Sequence, residues 1–400
     1  EALKLLQETY LGKVKMVYID PPYNTGNDLM YEDDFSESTE EFFEKSFQVD
    51  EDGNRLTANL ESNGRFHSDW MSMIYPRLKL CRSLLRDEGA IFVSIGDHEV
   101  DNLKKILDDV FGPENFISMA TRVAKRTSDK GTHFRPTKDY ILVYARAIEH
   151  LAEFGIKKEL NEKDYKLSEA DGRKYKKSGA SLYQPSLDSM RGCANQRYYI
   201  EAPDGSLIIP PGFTLPEQKE DAAKVKPISG ADKVWRWSAA TYLKQRELLI
   251  FTEGSAKNPL LDQDGNQSKW NIYPKVYLED DLSATLHPED ILYDFPNSQG
   301  TKEIKALGIP FSFSKPTSLI MFLIKLMNGR DGLVLDFFAG SSSTADATLK
   351  LNAEDGGNRK FIMVQLPEAV EENSQASSEG YSTIAEISKE RILRAGEKIL

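Results

Sequence analysis

The sequence predicts an α/β protein: a doubly wound, mostly parallel sheet carrying an inserted smaller domain. Three observations predict it. Apolar runs that read as strands alternate with helical runs up to about Val110, and again from Lys315 onward. The runs are continuous, as in Ala90–Ile95, and strands that are apolar on both sides belong to sheets covered by helices on both faces. Between Arg146 and Gly300 the alternation stops, and Tyr, Trp, Gly, Pro and charged residues mix with short apolar pieces such as Leu207–Ile209 and Leu248–Phe251. With 400 residues and 40% hydrophobic content, the chain can build one large domain plus an insert. The expected division is 1–145, 146–300 and 301–400, the outer parts sharing one sheet.

A helix-like run precedes the first strand, Val14–Ile19, which delivers the string Asp20-Pro21-Pro22-Tyr23-Asn24-Thr25-Gly26 into a turn. From Asn27 to Arg65 the chain is rich in Glu, Asp and Ser with little periodicity and reads as a long loop; such loops are usually functional or disordered. Ser68 or Asp69 is the expected cap of a helix whose apolar positions Trp70, Met73, Ile74, Leu80, Cys81, Leu84 and Leu85 fall at helical spacing. Asp87-Glu88-Gly89 should end it. The strand Ala90–Ile95 follows, then a helix marked by Val100, Leu103, Ile106, Leu107 and Val110 and stopped by Gly112-Pro113. Phe116–Val123 and Asp139–Ala145 read as a hairpin-like edge. After the insert, Lys315-Pro316-Thr317 opens an apolar helix, Ser318–Met327, because proline suits a helix start. Leu333–Leu335 is a short strand, Phe361–Leu366 another, and Ala385–Leu393 a charged amphipathic helix.

Composition narrows the function classes. Cys81 and Cys193 are far apart, with no CxxC and no clustered His, which argues against a disulfide framework or structural zinc and for a reducing cytoplasm. No run of 18 apolar residues and no signal peptide is present, so neither membrane spanning nor secretion is expected. The chain begins at Glu1 and reads as lacking an N-terminal segment. A net charge of −12 is unfavourable for binding phosphate, but Arg122–Ile200 carries 17 Lys and Arg against 10 Asp and Glu. The basic surplus is regional. Its clusters are Lys125-Arg126, Lys157-Lys158 and Arg173-Lys174-Tyr175-Lys176-Lys177; the last fits either a nucleic-acid surface or a solvated loop. Trp235-Arg236-Trp237 likewise admits base stacking or ordinary packing.

The turn after the first strand carries the most specific chemistry. Pro21 and Pro22 fix φ and remove two backbone donors, which frees the carbonyls of Asp20 and Pro21 to face a ligand. With the Asp20 carboxylate and the Tyr23 ring, they suit a planar, amino-bearing base held by edge and face.

Asp20-Pro21-Pro22-Tyr23 after an apolar strand resembles the catalytic motif of amino-methylating DNA methyltransferases, and Asp336-Phe337-Phe338-Ala339-Gly340-Ser341 resembles their cofactor loop. Catalytic motif first and cofactor motif last is the order of the β class. More narrowly, the Asp20 string, Gly64-Arg65-Phe66-His67-Ser68-Asp69-Trp70 and Thr383-Ile384-Ala385-Glu386-Ile387 resemble the modification subunit of type III restriction-modification systems. The resemblance implies a Rossmann-like sheet, S-adenosylmethionine as cofactor, no metal, and a target recognition domain at 146–300. The implied partners are double-stranded DNA with a flipped adenine, a second copy in a homodimer, and a helicase-nuclease restriction subunit. Tyr23 would hold the base while Asp20 and the Pro21 carbonyl accept from its amino group. Lys315, Pro316 and Thr317 would flank the methionine part of the cofactor. Gly340 would let the backbone approach the cofactor, and Gln365 or Glu368 would meet its ribose hydroxyls, where the family has an acidic residue. Serine stands at Ser342 where the family has a second glycine. Two rival readings follow: methylation of the cytosine amino group, and a DNA-recognition subunit without catalysis. A nicotinamide dehydrogenase is disfavoured, since no GxGxxG follows an early strand.

Overall fold

The structure, a computed structural model, describes residues 1–25, 66–125, 133–157, 160–187, 190, 195–254, 259–311, 313–370 and 374–399. The expected loop at Asn27–Arg65, Gly26, Gly64, Arg126, Lys158 and Cys193 lie outside them. Two compact units result, one of Glu1–Ile156 with His287–Leu400 and one of Lys157–Leu286.

The first unit is built on a seven-stranded sheet in the order Ile291–Leu292, Phe116–Val123, Lys138–Ala145, Leu85–Ile95, Val14–Ile19, Asp331–Asp336, Asn358–Met363. Its last four strands are mutually parallel, and Lys138–Ala145 runs antiparallel to both of its neighbours. Val14–Ile19 explains the double winding. Val17 and Ile19 enter a core with Trp70, Ile74 and Leu78 of the helix Phe66–Leu84, while Met16 and Tyr18 enter another with Leu319, Leu323 and Leu351. Successive side chains point to opposite faces, so a strand apolar at every position needs a helix layer on each.

Several boundaries differ from expectation, among them the strand read as Phe361–Leu366, which runs Asn358–Met363 and leaves Gln365 beyond its end. The helix expected to be capped by Ser68 or Asp69 spans Phe66–Leu84, so both residues lie in its first turn and not at its cap. Buried Phe66 anchors that turn: its carbonyl accepts from Asn24 Nδ2 at 3.1 Å, and His67 Nδ1 meets Glu99 Oε1 at 2.6 Å. The helix then ends at Leu84, because the next strand begins at Leu85 and absorbs Asp87-Glu88-Gly89 in a register shift between the pairs Val14↔Leu85 and Met16↔Ala90. The inserted unit is also narrower than 146–300. Ile291–Leu292 adds to the main sheet, pairing with Thr121 and Arg122, and buried Leu292 joins its core.

The second unit has its own four-stranded antiparallel sheet, in the order Leu249–Glu253, Trp270–Tyr277, Lys174–Lys177, Leu167–Ser168. Its core gathers Leu182, Tyr198, Ile208, Trp235, Leu260 and Ile272. Trp235 is fully buried and donates from Nε1 to the Tyr198 carbonyl at 2.8 Å, and Trp237 packs against the same core. Packing therefore accounts for Trp235. The basic strand is similarly engaged within its unit: Lys176 lies over the Tyr165 ring and 3.5 Å from Asp281, Lys177 lies over Tyr273, and Arg173 pairs with Asp171 at 2.7 Å.

Candidate active site

Asp20 and Asp336 follow or close neighbouring parallel strands at the same edge of the sheet. From Val14–Ile19 the chain winds outward to Leu85–Ile95 on one side, and Asp331–Asp336 leads to Asn358–Met363 on the other. That reversal is the switch point at which open α/β sheets leave a crevice beyond their carboxyl ends.

The catalytic candidates of the turn converge there. Lys315 Nζ donates to Asp20 Oδ1 and Oδ2 at 2.5 and 2.6 Å and to the Tyr23 hydroxyl at 3.0 Å, and sits 4.9 Å from the Tyr23 ring centre. Tyr23 in turn donates to Asp139 Oδ2 at 3.2 Å. Desolvation, followed by the charges of Asp20 and Asp139, holds the Tyr23 hydroxyl well above its ordinary pKa, so it stays a donor. Pro21 is buried, and the Pro22 carbonyl accepts from Trp70 Nε1 at 2.8 Å, which fixes the turn to the helix behind it. Asn24 has φ of 56° and donates to Glu99 at 2.5 Å; Asn102 donates to the other Glu99 oxygen at 2.8 Å. Buried Glu99 thereby ties together Asn24, His67 and Asn102.

Sequence alone does not single out Asp139 and its partner. Arg122 Nε donates to Asp139 Oδ1 at 2.7 Å, and its Nη2 pairs with Oδ2. The same guanidinium reaches the Phe295 carbonyl at 2.8 Å and Asn297 Oδ1 at 2.9 Å. Burial works to lower the Arg122 pKa, but the hydrogen bonds and charge of Asp139 raise it further above the ordinary value. The guanidinium keeps its charge. A charged residue at a buried strand position is the available signal, since such a residue almost always has a partner.

The second motif forms a compact loop. Asp336 accepts from the Phe338 backbone N–H at 3.1 Å and from Thr344 Oγ1 at 2.6 Å, bracing the turn against the helix Ser343–Asp355. Burial pushes the Asp336 carboxyl up to about 7; those two hydrogen bonds oppose the shift and the Asp20 charge adds to it. Phe337, Phe338, Ala339 and Ser341 are buried, whereas Gly340 is half-buried, with φ of +51° and no atom closer than 4.0 Å to where a side chain would begin. Ser342 also takes a left-handed conformation, at φ 59° and ψ 41°, and its hydroxyl bonds that of Ser388. Serine thus adopts the backbone that a glycine would take there. Gln365 Oε1 accepts from the Gly340 N–H at 2.7 Å, bracing the loop. Thr317 donates its backbone N–H to Glu303 at 2.8 Å and accepts from Lys350 at 3.2 Å, and Pro316 beside it is buried. Buried Arg391 binds Asp346 and the hydroxyls of Ser314, Ser341 and Ser343, tying the last helix to this loop.

A DNA methylase family model (N6_N4_Mtase) matches residues 14–376. The chain belongs to this DNA methylase family. Three curated relatives are similar over 100% of the chain: the Mod subunit of the type III restriction-modification enzyme StyLTI of Salmonella typhimurium, 32% identical; that of EcoPI of Escherichia phage P1, 33% identical; and that of EcoP15I of Escherichia coli, 30% identical. The chain spans 56%, 61% and 62% of the length of these relatives. The methylase match begins at the strand that leads into Asp20 and continues past Gln365, so both motifs of the crevice lie inside it.

Proposed function

We propose that this chain is the modification part of a type III restriction-modification system, an adenine-specific DNA methyltransferase that uses S-adenosylmethionine and acts in the cytoplasm. The observation that carries the reading is the hold on Lys315: two carboxylate oxygens and a phenolic oxygen already converge on one nitrogen donor within 3.0 Å. An exocyclic amino group is another nitrogen donor of that kind. The Asp20 carboxylate would accept from the adenine amino group, and the Tyr23 ring would take the face of a base turned out of the duplex. Tyr23 is held for this by Asp139, and Pro22 by Trp70.

The second loop fits the cofactor. Gly340 leaves room for a ligand to approach the backbone, and the following helix turns its amino end toward the same crevice. Phe337, Phe338, Ala339 and Ser341 would shape this side of the binding site, with Asp336 and Gln365 holding the loop. Lys315, Pro316 and Thr317 lie on the segment that joins this region to Asp20. Bound there, S-adenosylmethionine supplies the electrophilic methyl group. A duplex target, a second copy of the chain and a restriction subunit complete the proposed assembly.

Incubating the purified chain with S-adenosylmethionine labelled in its methyl group and duplex DNA, then digesting the DNA to nucleosides, tests the reading. Label in N6-methyladenine is expected. Label in N4-methylcytosine would transfer the assignment to cytosine, and cofactor-independent DNA binding without methylation would leave a recognition subunit.

A further inference from the structure

The second unit presents two large apolar side chains to solvent from a rigid base. Phe213 is 90% exposed and Ile228 is 74% exposed. Their loops are fastened to one buried carboxylate: Asp232 Oδ1 accepts from the Phe213 and Thr214 N–H groups at 2.9 and 3.0 Å, and Oδ2 from the Ile228 N–H at 3.0 Å and Thr214 Oγ1 at 2.7 Å. Fully buried Arg197 gathers the other side of the loops, donating to the carbonyls of Pro210, Pro211, Thr214 and Lys233 at 2.7 to 3.0 Å. Gly212 passes so close that a side chain would begin 2.6 Å from Asp232 Oδ1 and 2.9 Å from Arg197 Nη2, and Pro210, Pro211 and Pro227 restrict φ around it. The two N–H groups that carry Phe213 and Ile228 therefore cannot separate without unpairing a buried charge.

The surroundings favour a polyanion over a protein face. Exposed Lys224 and Lys226 precede Ile228 by four and two residues, Lys233 follows Asp232, and none of the three has an ion-pair partner among the described residues. Ser229 and Gly230 complete an exposed polar rim. Two apolar side chains within such a rim do not form a contiguous patch of the size that protein partners bury. Short apolar wedges beside cationic side chains are how proteins engage stacked bases while holding the flanking phosphates.

We propose that Phe213 and Ile228 form a preorganised apolar wedge that contacts the bases of duplex DNA, with Lys224, Lys226 and Lys233 on the adjoining phosphates. This rests on the reading of the chain as a DNA methyltransferase and adds a binding element to it. Preorganisation is the reason for the buried network: a wedge on a slack loop would lose to ordering much of what base contact contributes.

The test uses the full chain and a fluorescent duplex carrying the site mapped as methylated by the wild-type protein. The double variant Phe213→Ala/Ile228→Ala should bind it about tenfold more weakly, the scale of losing one apolar base contact. Because both side chains are exposed, its melting temperature and S-adenosylmethionine affinity should be unchanged. The dependence of binding on salt should keep its slope, whereas Lys226→Gln should reduce that slope by about one. Unchanged DNA affinity in the double variant overturns the wedge while methylation by wild type upholds the enzyme. Loss of self-association with DNA affinity retained also overturns it, in favour of a contact between copies. A wild-type chain that neither binds nor methylates DNA overturns both.

Discussion

Asp20 and Lys315 are 295 residues apart in sequence and in direct contact in space. Lys315 holds the Asp20 carboxyl and the Tyr23 hydroxyl in one place, and under the proposed function a target amino group would compete with it or share its acceptors. Asp20→Asn, which keeps the shape, should lower methyl transfer by about a hundredfold or more, the scale for removing one electrostatic contact to a reacting group. Calorimetry should find the affinity for S-adenosylmethionine intact; a variant that methylates at the wild-type rate would remove Asp20 from the mechanism. Asp336 makes the second prediction. Its folded pKa of about 7 lies above the ordinary 3.8, so between those values the folded state binds more protons than the unfolded one. Stability contributed by the protonated form is complete near pH 4 and is lost as pH rises through 7. The penalty above pH 7 is at most about 4 kcal/mol, from about three units at 1.36 kcal/mol each. Asp336→Asn should therefore flatten the fall in urea midpoint between pH 5 and pH 8, and equal slopes in the two proteins would mean that Asp336 ionises normally.

At the scale of elements, the antiparallel pair Phe116–Val123 and Lys138–Ala145 extends one side of the sheet and also carries Arg122 and Asp139 to Tyr23. Asp139→Ala would strand a buried guanidinium, and breaking a buried pair from one side costs about 3–5 kcal/mol. Asp139→Asn keeps one acceptor and should be milder in stability, yet lower kcat with little change in S-adenosylmethionine affinity, because Tyr23 loses its anionic acceptor. Equal loss of cofactor binding would make the pair purely structural. The turn between Asp331–Asp336 and Ser343–Asp355 offers a cleaner comparison. Left-handed backbone costs a non-glycine residue about 1–2 kcal/mol, and the Ser342–Ser388 hydroxyl bond returns about 1 kcal/mol. Ser342→Gly relieves the first and loses the second, so its melting temperature should stay near wild type. Ser342→Ala loses the bond and keeps the strain, and should melt lower than the glycine variant; the reverse order would refute the assignment.

On the scale of the molecule, the sheet that carries both motifs is complete without residues 157–286, which fold around their own core. The strand ends of the sheet unit carry Asp20, Asp336 and their braces. Exchanging 157–286 for the corresponding segment of a relative with another recognition sequence should accordingly transfer that sequence and leave adenine as the methylated base. Mapping methylated positions in DNA from cells that express the chimera decides this. An active chimera that keeps the original sequence would place recognition in the sheet unit.

By itself the sequence determined the α/β class, most strands of the sheet, the insert and the two motif turns, because all of these rest on local signals: apolar periodicity, proline and glycine placement, and short strings at strand ends. The family followed from the same strings. Only the tertiary structure decided what those residues touch. Lys315 reads as part of a helix start and is found on Asp20; Gln365 reads as a residue at a strand end and is found bracing Gly340. Arg122, Asp139 and Arg391 carry no recognisable string, since a buried charge is explained by its partner and the partner lies on another element. Ile291–Leu292 reads as part of the insert because two residues carry no periodicity, and its place in the main sheet comes from hydrogen bonds to Phe116–Val123. Long-range pairing of this kind is set by which surfaces the fold brings together, and no short window of sequence contains it.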